Sequence, residues 1–590
     1  MKKILTGNEA VARGAYEGGL HFAAAYPGTP STEILANMAN YKADVYCEWA
    51  PNEKVALEAA IGASVAGARS MAAMKHVGLN VAADPLFTFA YTGVTGGCII
   101  INADDPGMHS SQNEQDNRNY AAAARVMMLE PSDSQESKDF VKLGLDLSEK
   151  FNTPALIRMT TRICHSKSLV SLEDREKREI IPYEHNIKKY VATPGNARAL
   201  RVDLEKRLAD MLEYSNAAEI NREEFITDEI GVISSGVSYQ YAKEVFGDKA
   251  SYLKLGMTYP MPIEKIKAFA GKVKKLYVIE EMDPYIENQL KIAGISCIGK
   301  ELVPKYGELN PDILRKALLG AETDMIGIDK KAGARPPVLC AGCPHRGVFY
   351  ALSKKLKKLI VTGDIGCYTL GSAPPLSAMH TCFCMGGSIS AGHGAAKVLK
   401  NAGSDIKVVS VIGDSTFFHT GINSLMDVVY NKGNNAVIIL DNRTTAMTGH
   451  QDHPGTGYTL MGEPACEADI PAICRAFGLK DENVLTINPL DLAETEAAID
   501  AVINKDEPCV IIAKWPCILK KFSEQDIKEF GISDKKFSID AEKCKKCKMC
   551  VKTGCPAIFA GDEVHIRREA CAGCGVCRQV CKFGAIMEVK

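Results

Sequence analysis

Two short apolar runs in the second half of the chain restrict its possible folds more than any other feature. The run 408–412 ends shortly before Asp414, the run 436–440 ends shortly before Asn442, and a segment of helix length separates them. Apolar runs that do not alternate with polar residues are typical of strands buried on both faces of a parallel sheet. The pattern therefore predicts a strand–helix–strand unit with a right-handed crossover.

Polar residues follow both of these predicted strands. Because the strands are parallel, Asp414 and Asn442 are expected at the carboxyl edge of the sheet, where α/β proteins bind ligands. The helix that begins after Gly413 offers free N–H groups to a phosphate. A carboxylate, an amide oxygen and a phosphate are typical ligands of Mg²⁺. The sequence thus predicts a magnesium–phosphate site, and the alternative is an ordinary sheet in which Gly-Asp only makes a turn.

The last part of the chain contains eight of the 21 cysteines, in two runs with the spacings C-x2-C-x2-C-x4-C-P and C-x2-C-x2-C-x3-C. Three cysteines at two-residue gaps bind one face of a [4Fe–4S] cluster, and the fourth ligand comes from the other run. The alternative is a pair of zinc knuckles, which seldom use this spacing. The predicted ligand sets are Cys544, Cys547, Cys550 and Cys581 for one cluster, and Cys555, Cys571, Cys574 and Cys577 for the other.

Composition excludes several classes of protein. The 590 residues are 46% hydrophobic and 24% charged, with a net charge of −2, which gives no reason to expect nucleic-acid binding. No apolar run reaches the roughly 18 residues of a membrane span, and the first residues lack the apolar core of a signal peptide. We therefore expect a cytoplasmic protein, in which 21 cysteines indicate metal binding rather than disulfides.

The length suggests several domains. Residues 1–170 are predicted to form an α/β domain, in which Ser31 or Thr32 caps a helix. Residues 171–225 are charged and amphipathic, as in a helical linker. A small α/β domain follows at 226–325, with strands at 231–235 and 276–279. Residues 336–530 contain the magnesium–phosphate site, and residues 535–590 form a separate cysteine-rich domain.

The region 413–442 resembles the thiamine diphosphate motif, which begins Gly-Asp-Gly and ends Asn-Asn. Here it reads Gly-Asp-Ser and Asp-Asn, so that two positions differ from the motif. Together with the Tyr-Pro-Gly-Thr-Pro-Ser loop at 26–31 and the cysteine-rich tail, it makes the chain similar to the 2-oxoacid:ferredoxin oxidoreductases. The likeness is greatest to the α subunits of the indolepyruvate ferredoxin oxidoreductases, in the segments NEKVALEAAIGASVAGAR, ADDPGMHSSQNEQD, CAGCPHRGVFYAL and GDIGCYTLG.

This resemblance implies an α/β fold class with two doubly wound domains of the thiamine-diphosphate-binding type. Residues 1–170 correspond to the pyrimidine-binding type and residues 336–530 to the diphosphate-binding domain. Residues 226–325 correspond to a transketolase C-terminal-like domain. The tail corresponds to a ferredoxin-like α+β domain with two [4Fe–4S] clusters.

The resemblance also assigns roles to single residues. Mg²⁺ is expected to be coordinated by Asp414, Asn442 and the main-chain carbonyl of Thr444. Glu53 is expected to hydrogen bond the aminopyrimidine ring, and Thr29 to lie near the substrate carboxylate. The remaining cofactor contacts are expected at Gly413, Ser415, Gly366, Met385 and Gly386. A third cluster would use Cys340, Cys343, Cys367 and Cys517, and the alternative is that these are buried cysteines without metal.

The implied reaction is the oxidative decarboxylation of aryl 2-oxoacids with coenzyme A to aryl-acetyl-CoA, CO2 and reduced ferredoxin. Pyruvate enzymes of this group place an arginine in the later loop of the first domain, but this chain has neither Arg nor Lys between Gly96 and Asn117. The substrate carboxylate is then expected at His109, Ser110 or Asn113, although His109, like His450, can equally be structural or solvated.

The third module of the family's catalytic unit is not found in this chain, so we expect a separate small β subunit and an α2β2 assembly. Three alternatives stay open. The chain can act on another 2-oxoacid, such as pyruvate or a branched-chain acid. It can be a non-oxidative thiamine decarboxylase, which the cysteine tail argues against. It can also be a non-catalytic iron–sulfur subunit that only transfers electrons.

Overall fold

The computed structural model describes residues 1–321, 336–532 and 534–589. The chain divides into two compact units, Met1–Asp329 and Lys330–Lys590. None of the helices in the described part of the chain combines the length and the apolar character that a membrane crossing requires.

The first unit contains a seven-stranded sheet in which all neighbouring strands are parallel except at one edge. The edge strand Met257–Tyr259 is antiparallel and comes from the region that we assigned to the small domain. The central strand of the sheet, Cys98–Asp104, is buried along its whole length, as expected for a strand covered by helices on both faces. The other strands, in sheet order after the edge strand, are Met127–Leu129, Ala155–Thr160, Cys98–Asp104, Ser70–Lys75, Phe22–Ala25 and Tyr46–Trp49.

Helices of this unit surround that sheet, and a two-stranded antiparallel sheet pairs Lys2–Thr6 with Lys167–Ser171. The larger helices before the linker are Gly7–Glu17, Thr32–Met38, Glu53–Val65, Ala83–Thr92, Arg118–Ala124 and Ser134–Phe151. The predicted linker contains the 24-residue helix Pro194–Ala217.

The small domain has a four-stranded sheet, and its strands Ile230–Ser235 and Lys275–Ile279 confirm the two predicted strands. The sheet order is Lys275–Ile279, Ile230–Ser235, Ser251–Leu255 and Arg222–Glu224, with the last strand antiparallel. Its helices are Gly236–Phe246, Ile263–Ala270, Tyr285–Ile292 and Pro311–Leu319. A buried ion pair of 2.7 Å between Arg118 and Glu280 ties this domain to the first sheet.

The second unit contains a six-stranded parallel sheet, and its centre confirms the strand–helix–strand prediction. Lys407–Gly413 is parallel to Ala436–Asp441, and a continuous helical stretch connects them, with a π turn at Phe417–Gly421. The sheet order is Thr381–Cys382, Leu359–Gly363, Lys407–Gly413, Ala436–Asp441, Cys509–Lys514 and Val484–Ile487. Its larger helices are His345–Ser353, Gly387–Asn401, Ile470–Ala476, Leu492–Ile503 and Glu524–Phe530.

The cysteine-rich tail forms two small antiparallel sheets. Lys536–Ile539 pairs with Ile586–Val589, and Ile558–Ala560 pairs with Val564–Ile566. The tail packs on the parallel-sheet domain of the same unit, where the side chain of Gln579 hydrogen bonds the main chain of Leu490 and of Leu492, each at 2.8 Å.

Candidate cofactor site

Asp414 is held in a fixed orientation at the carboxyl end of its strand. The side chain is 2% exposed. Its Oδ1 accepts the N–H of Ser415 at 2.8 Å, and its Oδ2 accepts the N–H of Arg443 at 2.8 Å. These bonds stabilise the ionised carboxylate without neutralising it, as a cation-binding group requires.

The amide of Asn442 points toward Asp414. One end atom of this amide lies 3.1 Å from Asp414 Oδ1 and 2.8 Å from the main-chain oxygen of Thr444. The hydrogen-bond pattern without a cation favours nitrogen at that position, where the amide donates to both oxygens. A bound cation would favour the opposite amide orientation, which places the amide oxygen beside the other two. Neighbouring ligands of an octahedral Mg²⁺ at about 2.1 Å are about 3.0 Å apart. The predicted set Asp414, Asn442 and Thr444 therefore fits Mg²⁺, with the remaining positions left for phosphate and water.

His453 and Asp441 lie next to this set, and the sequence did not indicate a role for His453. His453 Nε2 lies 3.1 Å from Asp414 Oδ2, and both side chains are buried. Burial opposes the ionisation of Asp414, but the contact with His453 lowers its pKa overall. Burial and the nearby Asp414 raise the pKa of Asp441 to about 7. The site thus keeps Asp414 as its charged carboxylate.

Gly386 lies beside the helix that follows Asp414. It has a φ of +81°, and a Cβ at this position would overlap the hydroxyl of Thr420. The same hydroxyl donates to the main-chain oxygen of Met385 at 3.0 Å. This close approach of two backbone segments explains why a glycine is needed there.

The ring of Tyr368 connects the two other predicted glycines. It lies against both Gly366 and Gly413, and a Cβ on Gly413 would come within 2.6 Å of the ring. Buried Asp364, which the sequence analysis missed, accepts the N–H groups of Gly386 (2.8 Å) and Ser388 (3.1 Å). The structure therefore brings together the predicted cofactor-binding residues of this unit.

In the first unit, Glu53 begins the helix Glu53–Val65 and is 4% exposed. Its carboxylate packs on Gly78, where a Cβ would lie 2.6 Å from Oε1. The helix is capped by Asn52, whose side chain accepts the N–H of Val55 at 2.9 Å. Glu53 is thus buried in the protein interior, unlike most acidic residues at the start of a helix.

The prediction that the side chain of Ser31 or Thr32 caps a helix was wrong for the helix Thr32–Met38. Ser31 has a helical backbone conformation, and its hydroxyl donates back to Gly28 O at 2.9 Å instead of accepting from the helix. Thr29 in the same loop accepts a hydrogen bond from Ser110 Oγ at 3.4 Å through its main-chain oxygen. The Thr29 loop and the polar loop around Ser110 therefore lie side by side.

Lys75 lies at this junction and was not identified from the sequence. It ends the strand Ser70–Lys75, is 9% exposed, and donates to Ser110 O at 2.7 Å. Within the described ranges, no carboxylate forms an ion pair with it. Burial lowers its pKa to about 8, and Asp105 partly opposes this effect. A buried ammonium group without an ion-pair partner is stabilised when an anion binds to it.

The carboxylate binders that the sequence predicted form hydrogen bonds or ion pairs with other protein groups. His109 is half exposed and lies 3.1 Å from a carboxylate oxygen of Glu308. The amide oxygen of Asn113 lies 3.0 Å from His76 Nε2. His450, which was not predicted to bind the carboxylate, lies 3.8 Å from Cys517 Sγ. Lys75 is therefore the better placed group for a substrate carboxylate in this loop.

The cysteines of the tail group as the spacing predicted. The first set lines one small, mostly apolar cavity: Cys544, Cys547, Cys550 and Cys581. In the second set, burial raises the pKa of Cys577, and the neighbouring thiols of Cys574, Cys555 and Cys571 add to this. In the described part of the chain, no three His, Cys, Asp or Glu side chains are close enough to hold a single metal ion. A four-iron cluster spaces its thiolates more widely than one ion does.

The four cysteines proposed for a third cluster also lie near one another. Burial raises the pKa of Cys367 to about 11, with Cys517 and Cys340 adding to it. The pKa of Cys343 is raised to about 12 by burial, and Cys340 and Cys517 contribute.

The loop 340–343 has the same sequence, Cys-Ala-Gly-Cys, as the tail loop 571–574. Their third residues, Gly342 and Gly573, have φ values of +76° and +74°. Lys546 occupies the corresponding position of the loop 544–547 and has a φ of +51°. The loops 340–343, 544–547 and 571–574 therefore share one left-handed backbone position.

Comparison with known proteins agrees with this geometry. The thiamine diphosphate-binding family model of the pyruvate flavodoxin/ferredoxin oxidoreductases matches residues 13–214. The C-terminal TPP-binding domain of the thiamine pyrophosphate enzymes matches residues 364–513. The second match covers Asp414, Asn442 and Thr444 and the glycines around them.

Relatives align along the entire chain. The indolepyruvate oxidoreductase subunit IorA of Archaeoglobus fulgidus is 41% identical over 100% of this chain and 98% of its own length. The subunit IorA of Methanothermobacter thermautotrophicus is 40% identical, with coverages of 99% and 97%. Among solved structures, the 2-oxoglutarate:ferredoxin oxidoreductase of Magnetococcus marinus aligns with 54% of this chain and 65% of its own, at 19% identity and a TM-score of 0.46.

Proposed function

Because the chain belongs to the family of the indolepyruvate oxidoreductase subunits IorA, thiamine diphosphate-dependent 2-oxoacid:ferredoxin oxidoreductases, we propose that it oxidises aryl 2-oxoacids such as indolepyruvate. Coenzyme A would accept the acyl group, and the products would be aryl-acetyl-CoA, CO2 and reduced ferredoxin. The observation that carries the proposal is the position of one end atom of the Asn442 amide, 3.1 Å from Asp414 Oδ1 and 2.8 Å from the main-chain oxygen of Thr444.

The residues of the chain bind and orient the reacting groups. Thiamine diphosphate, when bound, supplies the nucleophilic carbon and accepts the electrons released with CO2. Asp414, Asn442 and Thr444 would hold Mg²⁺ on the diphosphate. Glu53 would hydrogen bond the aminopyrimidine ring and favour loss of the proton from C2; its burial supports this role, since a buried carboxylate exchanges protons without competition from water.

The substrate carboxylate would bind to Lys75, next to Thr29. Lys75 is buried, has one hydrogen bond to a main-chain oxygen, and lacks an ion-pair partner in the residues that the structure describes. Its charge replaces the arginine that pyruvate enzymes of the group place in the loop before Asn117.

Electrons would leave through [4Fe–4S] clusters held by the two tail sets and by the set Cys340, Cys343, Cys367 and Cys517. The cavity lined by the first tail set and the shared left-handed C-x2-C loops support this proposal. In the tail, Cys571 and Cys577 are buried, whereas Cys547 is exposed. Exposed lysines flank Cys547 in the sequence: Lys543, Lys545, Lys546, Lys548 and Lys552. Such a basic surface suits an acidic ferredoxin as the acceptor.

The chain would work with a small β subunit in an α2β2 assembly, and the naming of its relatives as one subunit supports a partner chain. We would test the function by purifying both chains without air and following dye reduction with indolepyruvate and coenzyme A. Faster turnover of indolepyruvate than of pyruvate supports the proposal. Preference for pyruvate or a branched-chain acid would reassign the substrate, and bound iron without thiamine would indicate a non-catalytic electron-transfer subunit.

A further inference from the structure

Arg346 is a buried cation without a buried anion beside it. Its side chain is 1% exposed, three residues after the end of the loop 340–343. Nη1 donates to Thr553 O at 2.8 Å, and Nη2 donates to Leu339 O at 2.7 Å and Cys340 O at 2.8 Å. All three acceptors are neutral carbonyls, and Nε has no partner. No carboxylate among the described residues forms an ion pair with it.

Such an arrangement is costly unless another anion compensates the charge. An uncompensated guanidinium in a low-dielectric interior loses its hydration, and neutral carbonyls recover only part of that free energy. Arg118, which is 1% exposed in the other unit, has the expected partners: it pairs with Asp116 and Glu280. The environment of Arg346 therefore indicates that an anionic group completes it.

Two cysteine-bearing segments hold the guanidinium of Arg346. It donates to Cys340 O in the loop 340–343 and to Thr553 O, two residues before Cys555 in the tail. The loops 340–343 and 571–574 are in close contact, since a Cβ on Gly342 would lie 2.5 Å from Ala572 Cβ. A Cβ on Gly554 would lie 3.3 Å from Arg346 Nη1. Arg346 thus lies at the junction of two cysteine sets.

We propose that Arg346 is the counter-charge of two iron–sulfur centres, one on the Cys343 side and one on the Cys574 side, and raises the reduction potential of both. The inference rests on the proposed function, which assigns a cluster to each set. A [4Fe–4S] centre with four thiolates is an anion, and reduction adds one more negative charge. A fixed positive charge therefore stabilises the reduced form more than the oxidised form.

The position also explains how an electron would pass between the centres. With clusters bound at both sets, one electron would leave the centre on the Cys343 side, which would be oxidised, and would reduce the centre on the Cys574 side. The charge of Arg346 would stabilise the electron at either position. Arg346 acts as a positioning residue for charge and does not contact substrate.

The test is a redox titration, followed by electron paramagnetic resonance, of the full-length protein purified without air. In Arg346→Gln, we expect the ratio of reduced to oxidised centre at a fixed potential to fall about tenfold, equivalent to about 59 mV for one electron. The centre at Cys544 and Cys547 is an internal reference and should shift less. Arg346→Lys keeps the charge and should stay near the wild type, even if it lowers the melting temperature.

The titration has a control variant, and its contrary outcomes can be told apart. Lys357→Gln removes an exposed charge from the same unit and should leave the potentials unchanged. The inference is overturned if Arg346→Gln keeps its iron and its potentials do not move, or if Arg346→Lys shifts as far as Arg346→Gln. It is also overturned if both variants lose iron equally, because the role is then structural. Absence of iron from the wild type would instead overturn the proposed function itself.

Discussion

Nη1 of Arg346 lies 2.8 Å from the main-chain oxygen of Thr553, although 207 residues separate them in the sequence. This contact joins the loop 340–343 to the cysteine-rich tail. The tail is therefore packed against the parallel-sheet domain that carries Asp414, within one compact unit. Such fixed packing would keep the proposed centres of the tail and of the loop 340–343 at a constant distance from each other.

Replacing the central carboxylate should abolish metal-dependent cofactor binding. Asp414→Asn keeps the shape of the side chain and an acceptor for the N–H of Ser415, but it removes the charge. We expect affinity for Mg²⁺ and thiamine diphosphate to fall at least about 100-fold, because the variant loses a direct ligand. Bound thiamine diphosphate per chain, measured after gel filtration, checks this. Retention of the cofactor at wild-type level would exclude Asp414 as the metal ligand.

Two glycines of neighbouring sequence should respond in opposite ways to a methyl group. Gly386→Ala places a Cβ against Thr420 at a φ of +81°, and we expect a loss of about 2 kcal/mol or more in unfolding free energy. Gly394→Ala, in the helix Gly387–Asn401, has no neighbour within 4 Å and should stabilise by about 0.5–1 kcal/mol. Urea unfolding of both variants checks the pair. Equal effects of the two substitutions would contradict the described packing around Gly386.

The activity should decrease at alkaline pH through Lys75. Its pKa of about 8 means that the ammonium loses its proton, and with it the attraction for a carboxylate, as pH rises through 8. The groups that face it are Asp105, which raises its pKa, and His76, which burial keeps neutral in this range. We expect kcat/KM for the 2-oxoacid to fall about tenfold per pH unit above about pH 8.

Two variants at this position provide the control. Lys75→Met should raise KM far more than it lowers kcat, and the pH dependence near 8 should disappear. Lys75→Arg, which stays protonated, should also lose this pH dependence while it keeps substrate binding. An alkaline decrease that persists unchanged in both variants would assign it to another group.

Removal of one tail cysteine should remove one cluster. Cys547→Ser is expected to lower the iron content by about four per chain, because serine is a poor ligand for iron in such clusters. Cys466→Ser is the matched control, since Cys466 is also exposed and belongs to none of the predicted sets. Iron and sulfide analysis of the two variants side by side checks the assignment. Equal iron in both would show that Cys547 is not a ligand.

The sequence predicted the centre of the second unit well, because its strands are continuous apolar runs. The strand ends at Gly413 and Asp441 differ from the predicted ends by one residue. Gly363-Asp364 repeats the same pattern of a strand followed by Gly-Asp, and this signal could have revealed Asp364.

The missed features depend on contacts between residues that are distant in sequence. Lys75 becomes a candidate only because it meets Ser110, 35 residues away, and His453 because it meets Asp414, 39 residues away. The strand Met257–Tyr259 joins the first sheet through pairing with Met127–Leu129, which no local pattern indicates. The predicted cap at Ser31 does not form because the hydroxyl donates to Gly28 O instead. Local patterns predict strands and ligand spacing, but not such tertiary partners.

The most direct test of the central claim is to measure thiamine diphosphate and iron in the same sample of protein purified without air. We expect one thiamine diphosphate and about twelve irons per chain, from three four-iron clusters. About eight irons would limit the clusters to the tail and remove the set that contains Cys340 and Cys343. A folded protein without thiamine diphosphate and without iron would contradict the account.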